Sequence, residues 1–221
     1  GALGVPSRVI LNLGGFANVT LLPAAGANAS ISDIAGFDCC SCNQLLDALA
    51  RSRLGCSYDH HGTAALRGHI NSRALDAAVK VLCDQRQQKR SLGSGDELPE
   101  CLEALFTPLT PDDAQATATA AVAASIAGAL QEAVASSPLS EVLVAGGGAH
   151  NRALIQFLDQ QLKMPLRLTS ELGMPIEARE AAAMAALGIL SSDGIAITLP
   201  QVTGCRQPAP LAGVWSSASR S

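Results

Sequence analysis

Residues Arg8–Leu22 read RVILNLGGFANVTLL, and this stretch decides the fold. Arg8 to Leu13 is a short β-branched and apolar run that ends at Gly14-Gly15. Phe16 to Leu22 is a second such run, closed by Pro23. Two runs joined across paired glycines predict a β-hairpin. Gly26 and Asn28 then mark a turn, and Ser30 to Ile34 predicts a third short strand. The chain therefore opens as an antiparallel meander.

Beyond the meander the pattern alternates. Leu45, Leu46, Leu49 and Leu54 stand at helical spacing within Asn43 to Leu54, with Gly55 placed to end the helix. Ser72 to Cys83 repeats that spacing, and residues 85–97 are polar and read as a loop. Thr110-Pro111-Asp112-Asp113 combines a hydroxyl cap, a first-position proline and two acids, so a helix starts there and runs to about Ala135. Glu141 to Ala145 is a buried-type strand running into Gly146-Gly147-Gly148. Asn151 can cap a helix bearing Leu154, Ile155, Leu158 and Leu162. Pro165 to Leu168 is a last short strand, and Glu177 to Leu190 a nearly all-alanine final helix. A meander followed by alternating helices and strands predicts an α/β domain.

Composition narrows the function. Of 221 residues, 48% are hydrophobic, enough to bury a core. Charged residues make up 15% and the net charge is −4, which excludes a basic nucleic-acid-binding domain. No apolar run is long enough for a membrane-spanning helix, and no signal-peptide pattern opens the chain. Seven cysteines, an odd number, read as reduced thiols of a cytoplasmic protein. The first residue is Gly rather than Met, so the chain is expected to be a fragment. Walker A, GxGxxG and GxSxG patterns are absent, which removes the commonest nucleotide and hydrolase readings.

Four segments can carry chemistry. In Asn12 to Thr20, Gly14 and Gly15 let backbone amides approach an anionic oxygen, although an ordinary tight hairpin explains them as well. Asp38, in Gly36-Phe37-Asp38 just past the third strand, can be a general base, hold a metal ion, or be a helix-entry residue before Asn43. Gly146-Gly147-Gly148-Ala149-His150-Asn151 lets the chain lie flat against a planar ligand or a phosphate, and three glycines are hard to explain by packing alone. Glu177 and Glu180 share a helix face, and Glu180 can reach a site from within the apolar run. A competing reading takes Cys39, Cys42, Cys56 and His60 as a zinc site. Cys83, Cys101 and Cys205 read as solitary buried thiols, and Tyr58 to Gly62 as a polar loop.

Taken together, the segments resemble the anhydro-N-acetylmuramic acid kinase family. The matching stretches are NLGGFANVT (12–20), GFD with a downstream Asn (36–43), YDHHG (58–62), residues 109–115, EVLVAGGGAHN (141–151), TSELGMPIEAREAAAMAALG (169–188) and LPQVTG (199–204). They stand in the family's order and cover nearly the whole chain. The resemblance implies a ribonuclease-H-like lobe of the actin-like ATPase, or sugar kinase, fold, a five-stranded mixed sheet with helices on both faces. Residues 1–221 would form the C-terminal lobe. The family's first phosphate loop, SGTSxDG, belongs to an N-terminal lobe and is not found here.

The reaction so implied converts 1,6-anhydro-N-acetylmuramic acid and ATP to N-acetylmuramate 6-phosphate with hydrolytic ring opening. Asp38 would deprotonate the attacking water. Asn12, Gly14, Gly15 and Asn18 would line the ATP phosphates, bridged by Mg2+. Gly146, Gly147, Gly148, His150 and Asn151 would lie on the adenosine side, and Asn43 and Glu180 would face the sugar. No side chain is expected to ligate a metal. The expected partners are the anhydrosugar and ATP, with neither nucleic acid nor membrane, and half a cleft with an exposed apolar face invites a homodimer. Two departures stand out. Cys39-Cys40-Ser41-Cys42 replaces the family's Thr-Gly-Pro-Gly, and Ser94 stands where the family's KSTGRE carries a cation. They motivate an alternative, a catalytically inactive relative acting as a binding or regulatory protein.

Overall fold

The computed structural model describes residues 7–24, 30–87, 91–96, 100–134 and 140–209. Strand β1 (Arg8–Leu13) pairs antiparallel with β2 (Phe16–Leu22), with Leu13 opposite Ala17, so the hairpin forms where the sequence places it. The turn expected at Gly26 and Asn28 lies outside the described residues. The third strand differs from expectation. Ile31–Asp33 is a 3-10 turn, and β3 runs from Ala35 to Ser41. Ser30 Oγ accepts the Ser32 N–H at 3.2 Å, and the Asp33 carboxylate accepts the Ser30 N–H at 3.1 Å. These local bonds satisfy the backbone that a ladder would otherwise use. Asp38 consequently lies inside β3 rather than past its end.

The register of β2 and β3 shifts between Ala17 and Asn18: Asn18 faces Asp38 and Ala17 faces Cys40, leaving Cys39 as the extra residue of a bulge. Strand β4 (Glu141–Ala145) runs parallel to β1, and β5 (Leu166–Leu168) parallel to β4. The sheet order is β3-β2-β1-β4-β5, the five-stranded mixed sheet expected of a ribonuclease-H-like lobe.

Helices α1 (Asn43–Leu49), α2 (Thr63–Arg67), α3 (Ser72–Gln87), α4 (Glu100–Phe106) and α5 (Pro111–Val134) separate β3 from β4. Helix α6 (Arg152–Gln161) joins β4 to β5, and α7 (Arg179–Ser192) and α8 (Pro200–Thr203) follow. The alternation of the strands aims Val9, Leu11, Leu13, Ala17, Val19, Val142 and Val144 at one face, where they are buried. Against that face stands α5, which also contacts α1, α2, α3 and α6. Many of its alanines, among them Ala114, Ala118 and Ala121, are fully buried and let the surrounding helices approach it closely. Thr110 caps it, its Oγ accepting from the Asp113 N–H at 3.2 Å.

The other face meets the end of the chain. Ile176–Ala178, a 3-10 turn, contacts β4, and α8 contacts β3. Helix α7 buries no residue, and its Met184 is 68% exposed. Despite its alanine-rich sequence, α7 is largely open to solvent.

Short elements also depart from the sequence reading. Helix α1 continues as a π-helical turn, Ala50–Leu54, ended by Gly55 at φ 68°. Helix α3 runs on to Gln87. Helices α2 and α4 were not legible, being five and seven residues long. Asp59 secures α2, its Oδ1 and Oδ2 each accepting a 2.9 Å bond from the Ala64 and Ala65 N–H groups.

All seven cysteines are free. Cys39, Cys40 and Cys42 lie fully in the core, whereas Cys101 is exposed and Cys83 and Cys205 are half-buried, so those three are not the buried thiols the sequence suggests. Burial pushes the Cys39 and Cys42 thiols up to about 12 and raises Cys40 well above the ordinary value. Between the ordinary thiol range and about 12, the unfolded chain sheds protons that the folded chain retains, so stability falls as pH rises. The slope is about 1.4 kcal/mol per pH unit for each such thiol. Urea unfolding at about pH 8 and about pH 10.5 is expected to show this loss, and to show much less of it in a Cys39→Ala/Cys40→Ala/Cys42→Ala variant. An equal loss in both proteins would rule the three thiols out as its source.

Candidate functional site

Cross-strand partners share a sheet face. Asn12 of β1 stands opposite Asn18 of β2, which stands opposite Asp38 of β3, and Asn12 is also opposite Ala145 of β4. This row alternates with the buried Leu11, Leu13 and Val19, so it lies on the face turned away from the main core. With strands about 4.8 Å apart, Asp38 and Asn12 are separated by about 10 Å. The row sits where the parallel strands β1 and β4 end, the ends at which α/β sheets hold ligands.

Asp38 occupies the outer end of the row. Its Oδ2 accepts a 2.8 Å bond from the Leu92 N–H, which fixes the carboxylate. It opens into a hollow of about 900 Å³ lined also by Asn18, Thr20, Arg86, Glu132 and Thr203. Asn12 occupies the inner end, 5% exposed, and its Oδ1 has no hydrogen-bond partner among the described residues. A buried amide oxygen left in that state costs about 1–3 kcal/mol.

The Gly14-Gly15 turn is tied to the start of α1. Gly15 O accepts the Cys42 and Gln44 N–H groups at 2.9 and 3.0 Å, and Gly14 O accepts the Asn43 N–H at 3.1 Å. The turn thereby satisfies the leading amides of the helix. A Cβ on Gly15 would stand 3.0 Å from Gln44 Cγ. Asn43 Nδ2 donates back to Leu13 O at 3.1 Å, so hairpin and helix hold each other.

The three glycines after β4 divide into two kinds. Gly146 has φ 85°, and a Cβ there would lie 2.7 Å from Leu13 O and 2.8 Å from Asn12 Oδ1. A Cβ on Gly148 would lie 2.7 Å from Leu13 Cβ. Packing therefore explains two of the three, against the expectation that it would not. Gly147 is different: the nearest atom to its Cβ position is Asn43 Nδ2 at 3.9 Å.

A second hollow, of about 440 Å³, gathers Asn43, Gly147, Gly148, His150 and Asn151, five of the residues singled out from sequence. Leu46, Asp47, Tyr58, Asp59, His60 and His61 complete its wall. Asn151 caps α6 as expected, its Oδ1 accepting the Leu154 N–H at 3.1 Å. His150 Nε2 lies 2.8 Å from Glu177 Oε1, joining the glycine segment to the turn before α7. Hydrogen bonds from its own backbone N–H and from His150 hold the Glu177 carboxyl below the usual range. Partial burial raises Asp47.

Glu180 enters neither hollow, its side chain being 77% exposed beside Arg179. Asn12, Gly14 and Gly15 line neither hollow, yet they touch residues of both, Asn18 and Asn43. The segment 58–62 is more than a polar loop. His61 sits at φ 55° with Nδ1 3.4 Å from His150 O, and a Cβ on Gly62 would overlap Asn151 Oδ1. The glycine after paired histidines was the available sequence signal.

The zinc reading fails. Cys39 and Cys42 are buried in the core and Cys56 is exposed, and among the described residues no group of three or more His, Cys, Asp or Glu side chains is disposed to hold a metal. The Cβ atoms of Cys40 and Cys42, set where the family pattern has glycines, point into the core and line neither hollow.

Comparisons with known proteins bear on this arrangement. A family model described as anhydro-N-acetylmuramic acid kinase matches residues 5–217. An anhydro-N-acetylmuramic acid kinase of Salinibacter ruber is 34% identical over 212 residues, covering 93% of this chain and 53% of that protein. One of Bordetella avium is 35% identical over 223 residues, covering 99% and 57%. The chain spans about half the length of the curated relatives it matches. Among solved structures, the activator of 2-hydroxyisocaproyl-CoA dehydratase from Clostridium difficile with bound ADPNP is 17% identical, with a TM-score of 0.45 over 73% of this chain and 53% of that one. Among the described residues no helix is long and apolar enough to cross a membrane.

Proposed function

The chain belongs to the anhydro-N-acetylmuramic acid kinase family, and from that premise we propose that it forms the C-terminal lobe of a cytoplasmic, ATP-dependent kinase. That kinase converts 1,6-anhydro-N-acetylmuramic acid to N-acetylmuramate 6-phosphate. The observation that carries the proposal is the polar row Asn12–Asn18–Asp38, which ends in a fixed carboxylate over a hollow large enough for a sugar.

Asp38 takes a proton from a water that attacks C1 of the anhydro ring. The C1–O6 bond breaks, and O6 receives the γ-phosphoryl group of ATP. The Leu92 N–H bond to Oδ2 orients the carboxylate and leaves its other oxygen to take the proton. Asn18, beside it in the row, supplies an amide for a sugar or phosphate oxygen.

The second hollow suits the nucleotide. The open side of Gly147 admits a close approach, and His150 presents polar atoms around it together with Asn43, which lines this hollow rather than the one over Asp38 where the sugar-facing expectation would put it. Asn12 Oδ1, without a hydrogen-bond partner among the described residues, is an acceptor held next to Gly146. Magnesium, when bound, neutralises phosphate charge and keeps several waters, so it needs no cage of side chains.

Amide hydrogen exchange tests the nucleotide assignment in a family-length protein carrying this chain. A non-hydrolysable ATP analogue with magnesium is expected to slow exchange at 12–18 and at 146–151. Unchanged exchange at both segments, with the nucleotide shown to be bound, contradicts the assignment.

A further inference from the structure

We propose that Arg86 selects for an acidic sugar, its guanidinium taking the carboxylate of the lactyl ether that separates a muramic sugar from its neutral N-acetylglucosamine counterpart. The inference rests on the kinase reading above and names the group that reads its substrate.

The hollow over Asp38 has an electrostatic problem. Asp38 and Glu132 both line it, and a substrate with its own carboxylate adds a third negative charge. Like charges brought together in a partly dry site repel strongly unless a cation stands among them. Among the described residues lining this hollow, Arg86 is the cation. It comes from the last turn of α3, while Glu132 comes from α5 and Asp38 from β3.

The local geometry leaves the guanidinium exchangeable. Its side chain is 13% exposed, with Nη1 3.4 Å from Ser125 O and Nη2 2.6 Å from Glu132 Oε1. The Ser125 carbonyl anchors one arm. Glu132, by contrast, is 70% exposed, and an ion pair with so exposed a partner contributes little. A substrate carboxylate can displace Glu132 and gain the planar, two-pronged match that Arg offers and a point charge does not. Ser94 stands where the family pattern carries a cation, and Ser91, three residues earlier, lines this same hollow. Arg86 supplies positive charge to the hollow despite that replacement.

Titration of a family-length protein carrying this chain with 1,6-anhydro-N-acetylmuramic acid and with 1,6-anhydro-N-acetylglucosamine, followed by amide and guanidinium NMR shifts, tests the inference. Wild type is expected to bind the acidic sugar more tightly. Arg86→Gln is expected to weaken the acidic sugar roughly tenfold, as loss of one charge-assisted contact implies, while the neutral sugar stays within about twofold. Because Arg86 is nearly buried, Glu132→Gln on the surface provides a second variant. It removes the competing carboxylate and is expected to tighten the acidic sugar alone. Equal weakening of both sugars by Arg86→Gln, or no change in either, overturns the inference. So does wild-type preference for the neutral sugar, which would still leave the hollow a sugar site. No shift with either sugar, in wild type, overturns the kinase reading itself.

Discussion

Asp38→Asn is expected to abolish most phosphosugar formation by a family-length protein carrying this chain, lowering kcat by about 10²–10⁴-fold with a much smaller change in sugar affinity. The amide is nearly the same shape as the carboxylate and can still accept from the Leu92 N–H, so the site keeps its geometry. What it loses is the ability to take a proton. Since C1–O6 cleavage needs a water activated at C1, ring opening should fail first. Phosphorylation of O6 should fail with it, because O6 is not released. ATP affinity should be unaffected, as Asp38 lies in the larger hollow and Gly147 in the other. A kcat within a few-fold of wild type would remove Asp38 from the proton transfer.

The glycines after β4 are expected to respond oppositely to alanine. Gly146→Ala must place a Cβ 2.7 Å from Leu13 O at a φ of 85°, and neither the β1 backbone nor the backbone angle can yield cheaply. Overpacking and an alanine forced into this glycine-only region of positive φ together should cost about 3 kcal/mol or more. Gly147→Ala meets nothing nearer than 3.9 Å, so stability should stay within about 0.5 kcal/mol. Its methyl group would instead stand in the smaller hollow and weaken ATP roughly tenfold, the effect of one spoiled close approach. Urea melts and nucleotide titrations of both variants separate the two outcomes. If Gly147→Ala is destabilising and still binds ATP normally, that glycine serves packing like its neighbours.

Several parts of this account were legible in the sequence. The hairpin was, because strand alternation and a paired-glycine turn are both local signals. So were the α5 start at Thr110-Pro111 and the Asn151 cap, where the side chain bonds an amide three residues away. The third strand was not. Ser30 and Asp33 close a capping box whose bonds are local, and the strand that follows carries Gly36 and two cysteines, a composition without strong strand preference. The roles of Gly146 and Gly148 were hidden for another reason. Their necessity comes from Leu13, more than a hundred residues earlier, and no window of sequence contains both. Helix α7 shows the limit of composition: alanine suits a buried helix, but burial depends on a neighbour, and in this chain α7 buries none of its residues.

The site was legible as residues rather than as a shape. Asp38, Asn12 and Asn18 were each singled out, while their alignment in one row depended on the register and on the bulge at Cys39. Asn43, Gly147, Gly148, His150 and Asn151 were identified from separate segments, and they share one hollow. Arg86 carries no motif, and its place beside Asp38 appears only when α3 packs along β3.

In the proposed reaction Asp38 drives a hydrolytic ring opening coupled to phosphoryl transfer. It is tested most directly by incubating a family-length protein carrying the chain with Mg-ATP and 1,6-anhydro-N-acetylmuramic acid in 18O-labelled water, followed by mass spectrometry of the sugar. The expected product is N-acetylmuramate 6-phosphate with a single 18O at C1 and none in the phosphate. A protein that is folded and binds ATP yet yields no phosphosugar, or one that places the label in the phosphate, would contradict it.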